Sequence, residues 1–238
     1  MTPASPDNEQ DHLPYWQVNV PKHQRTDECP PGLRGVSDKD RAIIGTPNCQ
    51  YQVDTWPVVQ KRVADNKLDE FRRSPSGLRA YRIFSWRIKQ EHESVEKFVL
   101  GTRLHWPKPV VAKGKKPFED DDDVKILWND WPYGIDGRIV HLVVWTKFEL
   151  EEDPLTKDLA DEARAAIDTY VRRVFSGMDD DHVVWFKNWR SIKSVHALEH
   201  FHVMLFEPDP KFVKEITNGD VPLFQRDAQG MDLALRSS

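Results

Sequence analysis

Residues 182–206 read HVVWFKNWRSIKSVHALEHFHVMLF, and this stretch decides the fold. Two apolar runs, Val183–Phe186 and Phe201–Phe206, are rich in β-branched and aromatic residues, as buried strands are. The residues between them are mostly polar. Polar groups at strand ends, next to tryptophans, supply the apolar wall and the few donors that a small-molecule site needs. The stretch therefore predicts two strands and, beside them, an anion- or nucleotide-binding pocket.

The composition predicts a soluble cytoplasmic protein without a membrane partner. The chain has 238 residues, 39% of them hydrophobic, and its mean hydropathy is −0.66. No apolar run approaches the roughly 18 residues that a bilayer-spanning helix needs, and the N-terminus lacks the pattern of a secretory signal. The two cysteines, Cys29 and Cys49, are too few for a disulfide framework, which is typical of the reducing cytosol.

The charges are distributed unevenly along the chain. Residues 61–116 contain fifteen basic residues and six acidic ones, whereas residues 120–238 contain fourteen basic and twenty-four acidic ones. A basic stretch can face an anionic ligand, although a solvated helix surface is the alternative. The net charge of −5 and the absence of a basic tail predict that duplex nucleic acid is not a partner. The oligomeric state stays open.

The first half of the chain predicts an arm followed by helices. Residues 1–50 are rich in proline and have little periodicity, so we expect an extended, partly ordered arm. Residues 53–106 show helical spacing, with Ser74 or Ser76 as a cap before one helix and Ser94 as a cap before the next. A charge-segregated loop over 107–123 follows.

The second half predicts a sheet. Strands are expected near 124–128, 139–148, 182–188 and 200–206, a helix over 159–175, and a short last helix over 208–216. The order indicates an α+β fold, with a helical N-terminal half followed by a mainly antiparallel β-β-α-β-β sheet covered by helices. Residues 51–217 would form this single domain, and residues 218–238 would form a loose C-terminal tail.

Aromatic residues near turns are candidates for stacking a base or a sugar. Trp131 and Trp189 lie at turns, and Tyr133 follows Trp131 in the same turn. Trp145 and Trp185 lie inside apolar runs, which favours core packing for both.

The histidines allow three interpretations. His196-Ala-Leu-Glu199-His200 has the H-x-x-E-H spacing of a zinc hydrolase, but on a strand His196 and His200 would lie about 13 Å apart, so we predict no metal site. From Asn188 onward the chain also resembles the active-site segment of histidine-triad nucleotide hydrolases. The glycines of that segment are missing, and Met204 stands where its third histidine would be. Ordinary strand histidines are the third interpretation.

Basic residues supply candidate phosphate ligands. Lys187 and Lys193 border the predicted strands, beside Asn188 and Ser194. Arg72, Arg73 and Arg79 are further candidates, since arginine binds phosphate with two parallel donors. The Asp120–Asp123 run is typical of a solvated loop. The chain contains no phosphate-binding glycine loop and no dinucleotide fingerprint, and we predict no cofactor.

Four blocks carry a resemblance to a known family. They are RSPSGLRAY (73–81), SVEKFVLGTRLHW (94–106), NDWPYGIDGRIVHLVVWTK (129–147) and WFKNWRSIKSVHALEHFHVML (185–205). They are similar to the fungal N-acetylglucosamine-induced protein 1 family, a domain of unknown function, and the resemblance spans roughly residues 51–217. It implies a link to an amino-sugar response and binding of a pyrimidine nucleotide or nucleotide sugar. It implies no catalytic residues.

Together these observations predict a cytosolic nucleotide-binding protein. The ligand would be a pyrimidine nucleoside triphosphate or a nucleotide sugar, held between the 129–141 turn and the 187–202 segment. The candidate ligand-binding residues are Asn129, Trp131, Tyr133, His141, Lys187, Asn188, Trp189, Lys193, Ser194, His200 and His202, with Arg72, Arg73 and Arg79 for phosphate. Two alternatives stay open: an enzyme on nucleotides or phosphosugars that uses a histidine as acid or base, and an interaction protein without a small-molecule site.

Overall fold

The computed structural model of the chain describes residues 13–226, apart from 157, 190–192, 194, 196 and 197. Within these residues, four strands form one sheet and six α-helices surround it. The strands are β1 (Val124–Trp128), β2 (Ile139–Thr146), β3 (Val183–Phe186) and β4 (Glu199–Phe206). The helices are α1 (Asp38–Ile44), α2 (Trp56–Ala64), α3 (Pro75–His92), α4 (Val95–Phe98), α5 (Asp161–Val174) and α6 (Pro210–Ile216).

All neighbouring strands are antiparallel, in the order β1-β2-β4-β3. The register places Trp145 opposite His200 and Val143 opposite His202. Because side chains alternate along a strand, each strand divides its residues between two faces of the sheet. The two long central strands, β2 and β4, therefore determine what each face presents.

One face of the sheet is apolar and packs on α5. Leu142 and Val144 of β2 meet Phe201, Val203 and Leu205 of β4 in the largest core cluster. Ile167, Tyr170 and Val171 of α5 complete this cluster, since they recur at helical spacing on the buried side of the helix. This layer is the largest of the core clusters that the described residues form.

The opposite face packs on the helices of the N-terminal half. Leu127, Val143 and Trp145 contact a cluster from α3, α4 and the π-helix Val99–Leu104, while Ile139 and Met204 contact Trp56 and Val59 of α2. Ser74 caps α3 by accepting a hydrogen bond from the Gly77 amide at 3.2 Å, and Pro75 occupies its first turn. Three histidines lie between these two apolar clusters.

Residues 13–50 pack along α3. Leu33 and Ile44 are buried against Leu78, and Asp40 of α1 forms an ion pair with Arg82 of α3. At the other end of the chain, Asp209 caps α6 and Leu223 is buried. None of the helices within the described residues is long and apolar enough to cross a membrane.

The predicted fold class, α+β with a helical N-terminal half and an antiparallel sheet, is confirmed. The boundaries of the four strands and the last two helices differ from the predicted ones by at most two residues. The second strand ends at Thr146 rather than 148 because the Thr146 hydroxyl accepts a hydrogen bond from the Phe148 amide, which turns the chain. The helix expected from Ser94 is α4 followed by the π-helix.

The core cluster under α5 predicts a large effect of truncating Phe201, which is fully buried. We expect Phe201→Ala to lower the free energy of unfolding by about 3–5 kcal/mol through lost burial and a residual cavity. Leu155→Ala is the control, since Leu155 is 90% exposed and should change stability by less than about 0.5 kcal/mol. Equal urea midpoints for the two variants would contradict this packing.

Candidate functional site

Three histidines occupy the centre of the face that packs on the N-terminal helices. His141 belongs to β2, and His200 and His202 belong to β4. All three side chains are buried. Imidazole rings are seldom placed in a core without hydrogen-bond partners, because a buried polar group without one costs free energy.

The polar residues around the histidines form a hydrogen-bonded chain. His141 Nε2 lies 3.0 Å from His202 Nδ1, and Asn188 Nδ2 lies 3.0 Å from His202 Nε2. Asn188 Nδ2 also donates to the hydroxyl of Tyr133 at 3.2 Å, and Asn129 Nδ2 lies 3.2 Å from His141 Nε2. The hydrogen bond between the rings joins His141 Nε2 to His202 Nδ1, and the tautomers of the two neutral imidazoles decide which of them donates.

Burial keeps these imidazoles neutral. It lowers the pKa of His141 to about 3, with a further contribution from the charge of Arg73. Burial likewise lowers the pKa of His200 to about 3, although the hydrogen bond of its Nδ1 with the Leu198 carbonyl, 2.9 Å, opposes the shift. The pKa of His202 is well below its ordinary value for the same reason. At neutral pH the cluster therefore carries no charge.

A cavity of about 110 Å³ lies between this cluster, α3 and the π-helix. Its aromatic and aliphatic wall includes Phe84, Phe98, Val99, Val143 and Trp145. Its polar boundary includes Arg73, Asn129, Trp131, Tyr133, Asn188, His200 and His202.

Two polar atoms bordering the cavity are buried without a hydrogen-bond partner among the described residues. They are the indole Nε1 of Trp131, which is a donor, and the Oδ1 of Asn188, which is an acceptor. Buried polar atoms are nearly always satisfied, so each such exception needs an explanation. Both atoms belong to residues predicted to bind a ligand.

The turn that carries Trp131 is held tightly. Asn129 Oδ1 accepts a hydrogen bond from the Trp131 amide at 3.0 Å, and the Asn129 amide donates to the His141 carbonyl at 2.9 Å. A Cβ atom on Gly134 would collide with the ring of Tyr51, so only glycine allows this approach. Trp131 is consequently fixed above the cavity.

Arg73 lies at the same boundary. Its Nε donates to the Trp131 carbonyl at 3.0 Å, and its guanidinium lies 3.9 Å from the centre of the Tyr81 ring. Among the ion pairs of the described residues, none involves Arg73. Its charge is thus available to a ligand.

The other predicted basic residues lie elsewhere. Lys187 is buried and pairs with Glu152 at 2.6 Å, and Lys193 is buried and pairs with Glu199. Arg79 donates from Nε to the Trp16 carbonyl at 3.3 Å, away from the cavity. Arg72 is exposed near Tyr51.

Of two further candidates, Trp189 is not among the residues that line the cavity. Trp189 packs at the edge of the cluster around Phe71 and Phe186. Ser194 lies outside the described residues, as does His196 of the zinc-like spacing. His200 stands in β4, and no group of three or more metal-binding side chains occurs within the part of the chain that the structure describes.

Arg103 is a site residue that was not predicted from the sequence. It lies in the π-helix, lines the cavity, and donates from Nε to Asp130 at 2.9 Å. The available signal was one charged residue amid Val99, Leu100 and Leu104, since a charge in an apolar stretch needs a buried partner. π-helical turns are also common at functional sites.

The fold and the cavity define an α+β protein with one antiparallel sheet and an internal cavity lined by histidines. The chain belongs to a family of proteins of unknown function, DUF3605, whose model matches residues 55–206. This confirms the family resemblance that the four sequence blocks indicated.

Two curated relatives and one solved structure are similar to the chain. N-acetylglucosamine-induced protein 1 of Candida albicans is 28% identical over 185 residues, which are 69% of this chain and 73% of that protein. The uncharacterised protein YPL067C of Saccharomyces cerevisiae is 30% identical over 119 residues, 49% of this chain and 60% of that protein. The crystal structure of HTC1 shares the fold at 24% identity, with a TM-score of 0.59 over 71% of this chain and 98% of that chain.

The buried histidines predict acid sensitivity. An unfolded histidine has a pKa of about 6.5, whereas burial lowers the pKa values of His141 and His200 to about 3 in the folded chain. The unfolded state therefore binds more protons between these values. The stabilisation is complete above about pH 6.5 and is lost as the pH falls toward 3. Urea titrations should show the free energy of unfolding decreasing over this window.

A pair of variants isolates this effect. His141→Gln should remove up to about 1.4 kcal/mol per pH unit from the slope, because one proton fewer is taken up on unfolding. His23→Gln is the control, since His23 is exposed and should leave the slope unchanged. Identical slopes in the two variants would show that His141 does not contribute to the acid sensitivity.

Proposed function

We propose that this protein binds a nucleotide, either a pyrimidine nucleoside triphosphate or a nucleotide sugar, with its base in the histidine-lined cavity. One observation carries the proposal: a cavity with aromatic walls borders two buried polar atoms, Trp131 Nε1 and Asn188 Oδ1, that lack partners among the described residues. Such an atom costs about 1–3 kcal/mol when left unpaired. A base that presents one acceptor and one donor would remove this cost.

The size of the cavity supports a single six-membered ring. Its volume is about 110 Å³, and an engineered cavity of about 150 Å³ in another protein binds benzene. A pyrimidine base matches this space better than a bicyclic purine. The sugar and the phosphates would extend outside the cavity.

The charges around the cavity favour Arg73 as the first phosphate ligand. Arg73 borders the cavity and has no carboxylate partner among the described ion pairs. Lys187 and Lys193 are held by Glu152 and Glu199, and a phosphate would have to displace those carboxylates to reach them. In this proposal the two lysines support the site without touching the ligand.

The neutral histidines support a binding protein over the acid–base enzyme. A general acid must carry a proton at the working pH, and efficient acid–base groups have pKa values near that pH. Burial lowers the pKa values of His141 and His200 to about 3, far from neutrality. We assign His200 and His202 to base recognition, because both line the cavity.

The relatives supply the biological setting of the proposal. The Candida albicans relative is called N-acetylglucosamine-induced protein 1, so we extend a link with the amino-sugar response to this chain. A pyrimidine nucleotide that carries an amino sugar therefore belongs among the ligands to be tested. We place the protein in the cytosol, where cysteines outside disulfides, such as Cys29 and Cys49, stay reduced.

A thermal-shift and calorimetry screen tests the proposal. Cytidine and uridine triphosphates and uridine diphosphate N-acetylglucosamine would be compared with ATP. A pyrimidine ligand at 100 times its Kd should stabilise the fold by about 2.7 kcal/mol, and ATP should have a much smaller effect. If no pyrimidine nucleotide binds at millimolar concentration, the proposal is wrong.

Trp131→Phe tests directly whether the indole donor of Trp131 binds the ligand. The change removes the indole donor and keeps an aromatic wall, so we expect pyrimidine-nucleotide affinity to fall by about tenfold, the loss of one hydrogen bond. Trp86→Phe on α3 is the matched control, since Trp86 is 42% exposed and lies outside the cavity wall. Calorimetric titration measures both, and equal affinities would remove Trp131 from the site.

A further inference from the structure

The carboxylate of Asp220 is surrounded by donors at one end of β1. It accepts hydrogen bonds from Arg103 Nη1 and Nη2, each at 2.8 Å, and from the backbone amide of Trp128 at 3.0 Å. A further hydrogen bond comes from Arg226 at 3.3 Å. Two guanidinium groups and a backbone N–H form the kind of donor set that binds phosphoryl groups in proteins.

Arg103 does not need Asp220 to keep its position. Its Nε donates to Asp130 Oδ2 at 2.9 Å, and Asp130 Oδ1 accepts the Leu223 amide at 2.9 Å. Asp130 therefore orients the guanidinium through Nε. Asp220 binds the other edge, which presents Nη1 and Nη2. If Asp220 left, that edge would stay aimed at the same place.

The Arg103–Asp220 pair lies between two spaces. Arg103 borders the histidine-lined cavity, and Asp220 borders an outer groove of about 350 Å³. Trp128 lines both spaces. Asp220 is part of the segment that follows α6, where Asn218, Gly219 and Val221 are exposed.

We propose that Arg103, the backbone amide of Trp128 and Arg226 form a phosphoryl-binding subsite that Asp220 occupies in the free chain. A phosphoryl group can take the same two parallel hydrogen bonds from Arg103 that the carboxylate takes. The exchange keeps the buried guanidinium paired, so the large cost of an isolated buried charge does not arise. Asp220 thus competes with the ligand for the subsite.

The local charge favours this exchange. Lys125 of β1 lies within electrostatic reach of both Arg103 and Asp220. Arg103, Arg226 and Lys125 carry positive charge, and among the described residues that bond this group Asp130 is the carboxylate that remains once Asp220 leaves. The emptied subsite would therefore carry a net positive charge and attract an anion.

The subsite rests on the proposed function only in one respect, namely that its phosphoryl group would belong to the same ligand as the base in the cavity. Inorganic pyrophosphate probes the subsite alone. If pyrophosphate binds with the expected affinities while no nucleotide binds, the proposed function is wrong and the subsite is supported. If nucleotides bind but pyrophosphate does not show the expected affinities, the subsite is wrong and the proposed function is unaffected.

Calorimetric titration with pyrophosphate tests the inference. Asp220→Asn removes the competing charge, so we expect pyrophosphate to bind at least about tenfold more tightly than to the wild type. Adding Arg103→Gln to Asp220→Asn should abolish this gain. Asp136→Asn is the control, because it removes a carboxylate from an arginine away from the cavity, Arg138, which keeps Glu207 as a second partner, and it should bind pyrophosphate like the wild type. Equal affinity for Asp220→Asn and the wild type would overturn the inference.

A measurement on the wild type covers the case in which Asp220→Asn does not fold. Hydrogen exchange of residues 218–226 would be followed with and without millimolar pyrophosphate. We expect exchange in this segment to become faster with pyrophosphate, since its anchor is displaced. An unchanged exchange rate would show that Asp220 is a fixed structural partner of Arg103 and would overturn the inference.

Discussion

The structure depends on the need to pair polar rings that are buried in the middle of a sheet. His141 and His202 cannot reach water, so the two rings share one hydrogen bond, and each also lies within hydrogen-bond distance of an asparagine, Asn129 or Asn188. These asparagines come from the turn after β1 and from the end of β3. Pairing the histidines therefore brings two distant loops together over the sheet and leaves a cavity between them and α3.

Most charged side chains described near these hydrogen-bonded histidines and asparagines form ion pairs. Lys187 and Lys193 are neutralised by Glu152 and Glu199, and Arg103 by Asp130 and Asp220. Buried ion pairs contribute little net stability, but removing one partner is costly, so these pairs fix the elements that carry them. Among the described residues, the cavity wall is left with neutral imidazoles, aromatic rings and the charge of Arg73, which no described carboxylate pairs, and this suits an aromatic ligand that ends in an anion.

The sequence predicts the elements better than the site. Alternation over His200-Phe-His202 correctly predicts that both histidines share one face of a strand, and the stripe from Leu159 to Val174 predicts α5, because local periodicity determines both. Polar partners are set by contacts between distant segments. Lys187 meets Glu152 35 residues away, and Arg103 meets Asp220 117 residues away. No local pattern distinguishes a lysine that pairs with a carboxylate from one that is free for phosphate.

In our proposal the indole donor of Trp131, which has no partner among the described residues, binds an acceptor of the ligand. The most direct measurement follows the indole N–H resonance of Trp131 in a two-dimensional ¹H–¹⁵N spectrum, assigned by its loss in Trp131→Phe, during titration with cytidine or uridine triphosphate. The account predicts a saturable downfield shift of this proton as it enters a hydrogen bond. A resonance that stays in place while the ligand binds would contradict the account, because the ligand would then occupy a different site.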